Sequence, residues 1–144
     1  MKISTKGRYA IRLMVDIAVN GENKNVSLKE ISERQFVSVK YLEQIICMLK
    51  KADYVKSERG TNGGYKLTKK PSEYTVGMIL RLTEGNLAPT PCSESQENCK
   101  RFGRCATSLV WSKINEAIND VVDNITLEEL AEREKECMCK CNKN

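Results

Sequence analysis

The sequence predicts a mainly α-helical fold with one small β-hairpin, a winged helix-turn-helix followed by a long dimerisation helix. Three observations lead there. Two short amphipathic helices, separated by a turn of about three residues, lie between positions 27 and 51. A glycine-rich hairpin with Arg59 at its tip follows directly. Beyond residue 106, apolar residues recur at heptad spacing along a single helix.

Tyr9, Leu13 and Ile17, with Ala10 and Met14, recur at helical spacing over residues 5–20, and Gly21 and Asn23 close that helix. Lys6, Arg8 and Arg12 give it cationic positions. Ser27-Leu28-Lys29-Glu30 is a capping box, with Leu28 and Ile31 turned inward. The helix stops near Gln35-Phe36-Val37. Ser38 caps the next one, which runs to Lys51 with Val39, Leu42, Ile46 and Leu49 on one face and Ile45 widening it. Lys40, Tyr41, Glu43, Gln44 and Cys47 fall elsewhere on that helix. Tyr54-Val55-Lys56-Ser57 and Tyr65-Lys66-Leu67 flank a turn holding Gly60, Asn62, Gly63 and Gly64, residues that tolerate φ > 0. In this motif the second helix enters the major groove with its N-terminal residues at the base edges. The hairpin wing places Arg59 on the neighbouring backbone or minor groove.

Residues 1–70 form the winged helix-turn-helix region, and 71–91 a linker and connecting helix. Pro71 and Ser72 mark the linker, Thr75 caps the helix through Met78, Ile79 and Leu82, and Gly85 ends it. Residues 92–105 read as a cysteine-rich loop without periodicity. Over 106–134, Trp111, Ile114, Ile118, Val121 and Ile125 recur at spacings 3, 4, 3, 4, a narrow seam suited to another helix. A second capping box, Thr126-Leu127-Glu128-Glu129, starts a final short helix. The polar tail, 135–144, is expected to be disordered.

The 144 residues amount to one domain, or one small domain with an appendage. Net charge is +5 but uneven: residues 1–70 hold 15 Lys/Arg against 7 Asp/Glu, net +8, and residues 71–144 hold 9 against 12, net −3. A basic first half suits a polyanionic partner. No apolar run approaches the roughly 18 residues that would span a membrane. The opening lacks a signal h-region, so a cytoplasmic protein with no membrane partner is expected.

Seven cysteines accompany no histidine. Ser-His-Asp and Cys-His catalysis are therefore absent from the chain, and no enzyme is expected. Cys47, mid-helix, reads as an inert thiol. Cys92, Cys99 and Cys105 form C-x6-C-x5-C in irregular chain, where thiolates can converge on one point. Metal or iron–sulfur ligation, a thiol redox switch and plain packing all stand as readings of that set. Cys137, Cys139 and Cys141 are either incidental thiols or a supplementary ligand set, a metal chelator or a redox handle.

The chain resembles the family of winged-helix repressors that contains IscR, NsrR and CymR, and within it the cysteine-containing IscR-like branch. The resemblance rests on S-T-K-G-R-Y at 4–9, L-K-E-I-S-E-R-Q at 28–35, Y-L-E-Q at 41–44, R-G-T-N-G-G-Y at 59–65, T-V-G-M-I-L-R-L-T-E-G at 75–85 and L-V-W at 109–111. It implies a homodimer crossing at the long helix, bound to a pseudo-palindromic DNA duplex. It also implies that Ser38, Lys40, Tyr41, Glu43 and Gln44, with Arg59 and Gly60 in the wing, meet bases and phosphates. Cys92, Cys99 and Cys105 match the ligands of a cluster, 2Fe-2S or alternatively 4Fe-4S. IscR-like proteins place a histidine ligand where this chain has Ser108. The fourth ligand therefore stands open among Ser108, Glu94, Glu97, Asp16, a tail cysteine and an exogenous thiol. The CymR branch implies an alternative, control by a cysteine-synthesis enzyme or by thiol oxidation without a cluster.

Overall fold

The computed structural model describes residues 2–94, 99–101 and 103–141. Helix α1 (Thr5–Asn20) is its centre. Ser4 caps it by accepting from the Gly7 amide at 3.1 Å. Ala10, Leu13, Met14, Ile17 and Ala18 are buried along it. Helices α2 (Leu28–Gln35) and α3 (Val39–Lys51) pack on one side, and α4 (Val76–Glu84) and α7 (Leu127–Cys141) on others. The capping box at Ser27 and Glu30 forms in both directions. The Lys24 ammonium and then the Ser27 amide and hydroxyl bond the Glu30 carboxylate, lowering its pKa to about 2.

Helix α3 buries Leu42, Ile45, Ile46 and Leu49. Val39, predicted inward, is 38% exposed instead. It is the first residue of the helix, and the rotation of about 100° per residue leaves it at the border of the stripe set by the other four. Strands β1 (Val55–Glu58) and β2 (Gly64–Leu67) pair antiparallel, Val55 opposite Leu67 and Glu58 opposite Gly64. Reciprocal bonds between Val26 and Tyr65, 2.9 and 2.8 Å, fasten the hairpin to the segment before α2. Gly64, at φ +151°, lies so close to the Val26 carbonyl that a Cβ would sit 2.7 Å from it.

After a 3-10 turn (Pro71–Glu73), fully buried Tyr74 sends its hydroxyl to the Tyr54 carbonyl at 3.0 Å and accepts from the Lys69 amide at 3.0 Å. The following backbone pairs with the chain's far end: Val76 N–H donates to Ile125 O and Leu127 N–H to Tyr74 O, each at 2.9 Å. This bridge returns α7 to α1, where Leu127 and Ala131 join the same core as Leu13 and Ile31.

Residues 91–94, read from sequence as loop, form the single-turn helix α5 (Pro91–Glu94). Helix α6 (Ser108–Asn124) packs on α4 and α5 and buries no residue completely. Ile125 caps rather than extends it. The capping box at Thr126 and Glu129 starts α7 as expected. That helix, however, is 15 residues long and includes 135–141 of the expected disordered tail. Polarity misleads there. Glu136 and Lys140 stand at the favourable i, i+4 spacing, and Lys135 pairs with Glu22 at 2.9 Å.

Candidate nucleic-acid interface and cysteine loop

Outside its buried stripe, α3 presents Lys40, Glu43, Gln44 and Cys47, all exposed. Their i, i+3, i+4, i+7 spacing makes them one face. Cys47, read as inert, thus lies on that face. Ser38 is exposed and caps α3 by accepting from the Tyr41 amide at 3.3 Å. Tyr41 is half-buried, its ring edge-on to Tyr9 at 5.8 Å and 84°. Arg59 and Gly60 are exposed at the hairpin tip, Gly60 at φ +116°. Lys50 Nζ donates to Ser57 Oγ at 2.9 Å, joining the end of α3 to the first wing strand.

The anchor that sets the turn before α3 has no counterpart in sequence patterning. Asp16, 2% exposed, is gripped by Arg34 through Nε at 3.0 Å and Nη2 at 2.6 Å. The Gln35 amide donates to it at 2.9 Å. The Asp16 carboxylate in turn raises the Arg34 pKa. This network fixes the end of α2, and so the turn before α3, to α1. Asp16 is thereby fully engaged in the core and is no longer a candidate ligand.

Cys92, Cys99 and Cys105 are half-buried and free. Cys92 Sγ lies 3.2 Å from Thr90 Oγ1, and Cys105 Sγ 3.1 Å from Thr107 Oγ1. Bonding from the Thr107 hydroxyl, then from the Thr107 amide, lowers the Cys105 thiol below its ordinary pKa. Ser108, at the family's histidine position, donates its hydroxyl to the Cys105 carbonyl at 2.6 Å. Glu94 is exposed, and Glu97 lies outside the described residues. Three thiols, one acidified, suit an iron–sulfur cluster in kind. Their positions do not yet suit one, because among the described residues no three His, Cys, Asp or Glu side chains converge closely enough to hold a metal ion.

Trp111, Ile118 and Ile125 are half-buried, and Ile114 and Val121 are exposed. With Ile3, Leu80 and Leu87, the residues Ile114, Ile118 and Val121 line an apolar groove of about 400 Å3. Among the described residues no helix is long and apolar enough to cross a membrane.

A helix-turn-helix with an exposed polar face on its second helix, followed by a basic wing, is the architecture of a DNA-binding regulator of transcription. The Rrf2 family model, described as an iron-dependent transcriptional regulator, matches residues 3–133, and the chain belongs to that family. It is 40% identical over 130 residues to the HTH-type transcriptional regulator IscR of Pectobacterium atrosepticum, covering 90% of this chain and 79% of that one. Among solved structures it is similar to CymR, the global cysteine regulator of B. subtilis, with TM-score 0.80, 38% identity and coverage of 92% and 98% of the two chains. It is likewise similar to T. potens IscR, with TM-score 0.78, 40% identity and coverage of 95% and 90%.

Proposed function

We propose that the chain is a homodimeric, cytoplasmic repressor that binds a pseudo-palindromic operator and senses iron–sulfur cluster status, iron, oxidants or nitric oxide through Cys92, Cys99 and Cys105. The observation that carries this reading is the continuity of the cysteine loop with a helix whose apolar seam is left partly exposed. Cys105 and Ser108 share a hydrogen bond at the start of α6, and α6 then presents Ile114 and Val121 to solvent. A second copy crossing at Trp111, Ile114, Ile118, Val121 and Ile125 covers the apolar seam. Movement of the loop against α6 then alters the separation of the two recognition helices.

On DNA, Gln44 suits a bidentate pair with adenine, and Glu43 accepts from cytosine N4. Ser38 and Tyr41 offer hydroxyls to bases or phosphates. Lys40, Arg59 and the Gly60 backbone contact phosphate or a narrow minor groove. When bound, a 2Fe-2S or 4Fe-4S cluster supplies redox and nitric-oxide reactivity. Control requires that the cluster have different affinities in the DNA-bound and free states.

A second reading has its own support in the ungathered cysteines and in Ser108: a regulator of sulfur metabolism governed by a cysteine-synthesis enzyme or by thiol oxidation. Anaerobic purification with a visible spectrum and iron and sulfide analysis separates the two. Brown protein with iron and sulfide, lost together with regulation in Cys92→Ala, supports cluster sensing. Colourless protein that still represses supports the second reading. Failure to bind any duplex at low salt, where phosphate contacts are strongest, overturns both.

A further inference from the structure

Residues 2–12 carry cations that no carboxylate among the described residues pairs with. Lys2, Lys6, Arg8 and Arg12 are exposed, and no Asp or Glu precedes Asp16. Cations near a helix N-terminus oppose the macrodipole, so the helix itself gains nothing from them. Among the described residues, neither Arg8 nor Arg12 lies within ion-pair distance of a carboxylate.

Both guanidinium groups are nevertheless held in place. Arg8 lies 5.9 Å and Arg12 5.2 Å from the centroid of the Tyr9 ring. Tyr9 packs edge-on against Tyr41, in the first turn of α3. Arg12 also donates from Nε to Gln35 Oε1 at 3.0 Å and from Nη2 to the Gln35 carbonyl at 2.5 Å, at the last residue of α2, just before the turn that leads into α3. The Tyr9–Tyr41 pair therefore indexes both arginines, and the end of α2 also indexes Arg12, to the N-terminal end of α3.

Given the DNA-binding reading above, on which this rests, we infer that Arg8 and Arg12, on their Tyr9 platform, form a phosphate clamp outside the helix-turn-helix that grips the DNA backbone beside the groove entered by α3. The N-terminus of a recognition helix lies at the base edges, so groups anchored next to it face the bordering strand. A planar guanidinium held in advance loses little freedom on meeting a phosphate. The clamp carries no base information; it sets register and adds affinity.

The test uses the full-length protein and a duplex recovered by binding-site selection. Arg8→Gln and Arg12→Gln are compared with wild type by fluorescence anisotropy from 50 to 200 mM KCl. Each lost phosphate contact lowers the magnitude of the slope of log K against log salt by about 0.9, so about 1.8 for a dimer. Selected and random duplexes weaken by the same factor, and the selected base preference stays as it was. Arg8→Lys and Arg12→Lys keep the charge and restore most of the slope, which separates lost contact from lost fold. An unchanged slope in folded Gln variants, or an altered base preference, overturns the clamp. No binding by wild type to any duplex overturns the DNA reading instead.

Discussion

Helices α3 and α6 are both amphipathic, and the chain treats them in opposite ways. Over 13 residues α3 buries Leu42, Ile45, Ile46 and Leu49 against α1 and α2. Over 17 residues α6 buries none, leaving Leu109 at 62% and Val121 at 58% exposure. One apolar stripe is completed within the chain and leaves a polar face free for DNA. The other is only partly covered by α4 and α5 and leaves apolar side chains in solvent. Similar patterning therefore serves folding in one helix and, in the function proposed above, association in the other.

The contrast breaks first at Leu49, which is fully buried. Leu49→Ala should cost about 2–5 kcal/mol in urea unfolding. A loss below about 1 kcal/mol would mean that α3 is not held by its own core.

The next effect tests how α3 is positioned. Arg34→Met leaves the Asp16 carboxylate buried with only amide donors, at a cost of about 3 kcal/mol. DNA affinity should fall along with the unfolding midpoint, because the turn before α3 loses its anchor on α1.

On α6 the expected result is different in kind. Val121→Asp should leave the far-UV dichroism and the stability of the isolated protomer nearly unchanged. It should also raise the dimer dissociation constant about a hundredfold, roughly 2.7 kcal/mol, by sedimentation analysis. An unchanged dimer in that variant would move the interface off the seam.

The smallest effect lies at the cap of α2. Ser27→Ala should cost about 1 kcal/mol. The Glu30 half of that capping box is pH-dependent, since its carboxyl titrates at about 2 instead of the ordinary 4.5. A depressed carboxylate stabilises the fold above its ordinary pKa, and that contribution is lost as pH falls towards the lowered one. The stability advantage of wild type over Glu30→Gln should therefore be full at pH 6 and vanish near pH 2, a window accessible to amide hydrogen exchange.

Much of this architecture is legible from local signals. The cap at Ser27, the cap at Thr126, the period of α1 and the glycines of the wing each depend on residues within a few positions of one another. Lys40, Glu43 and Gln44 could be placed on an exposed face because four apolar neighbours claimed the other one. The Asp16–Arg34 pair was not legible, because its partners are 18 residues apart and each alone resembles an ordinary surface charge. The same holds for Tyr9 against Tyr41, and for the arginines that Tyr9 carries. Composition misled at 135–141, where a run of charges reads as tail but has the spacing of a helix.

By itself the sequence determined the order of the elements, the polar recognition face, the wing and the existence of an apolar seam, because periodicity and capping are local. The tertiary structure decided which stripe finds a partner inside the chain, since that depends on the pairing of Tyr74–Val76 with Ile125–Leu127 bringing α7 back to α1. It also decided that Asp16 belongs to the core and that Arg8 and Arg12 stand beside α3. Burial and alignment across long sequence separations arise only when the helices pack.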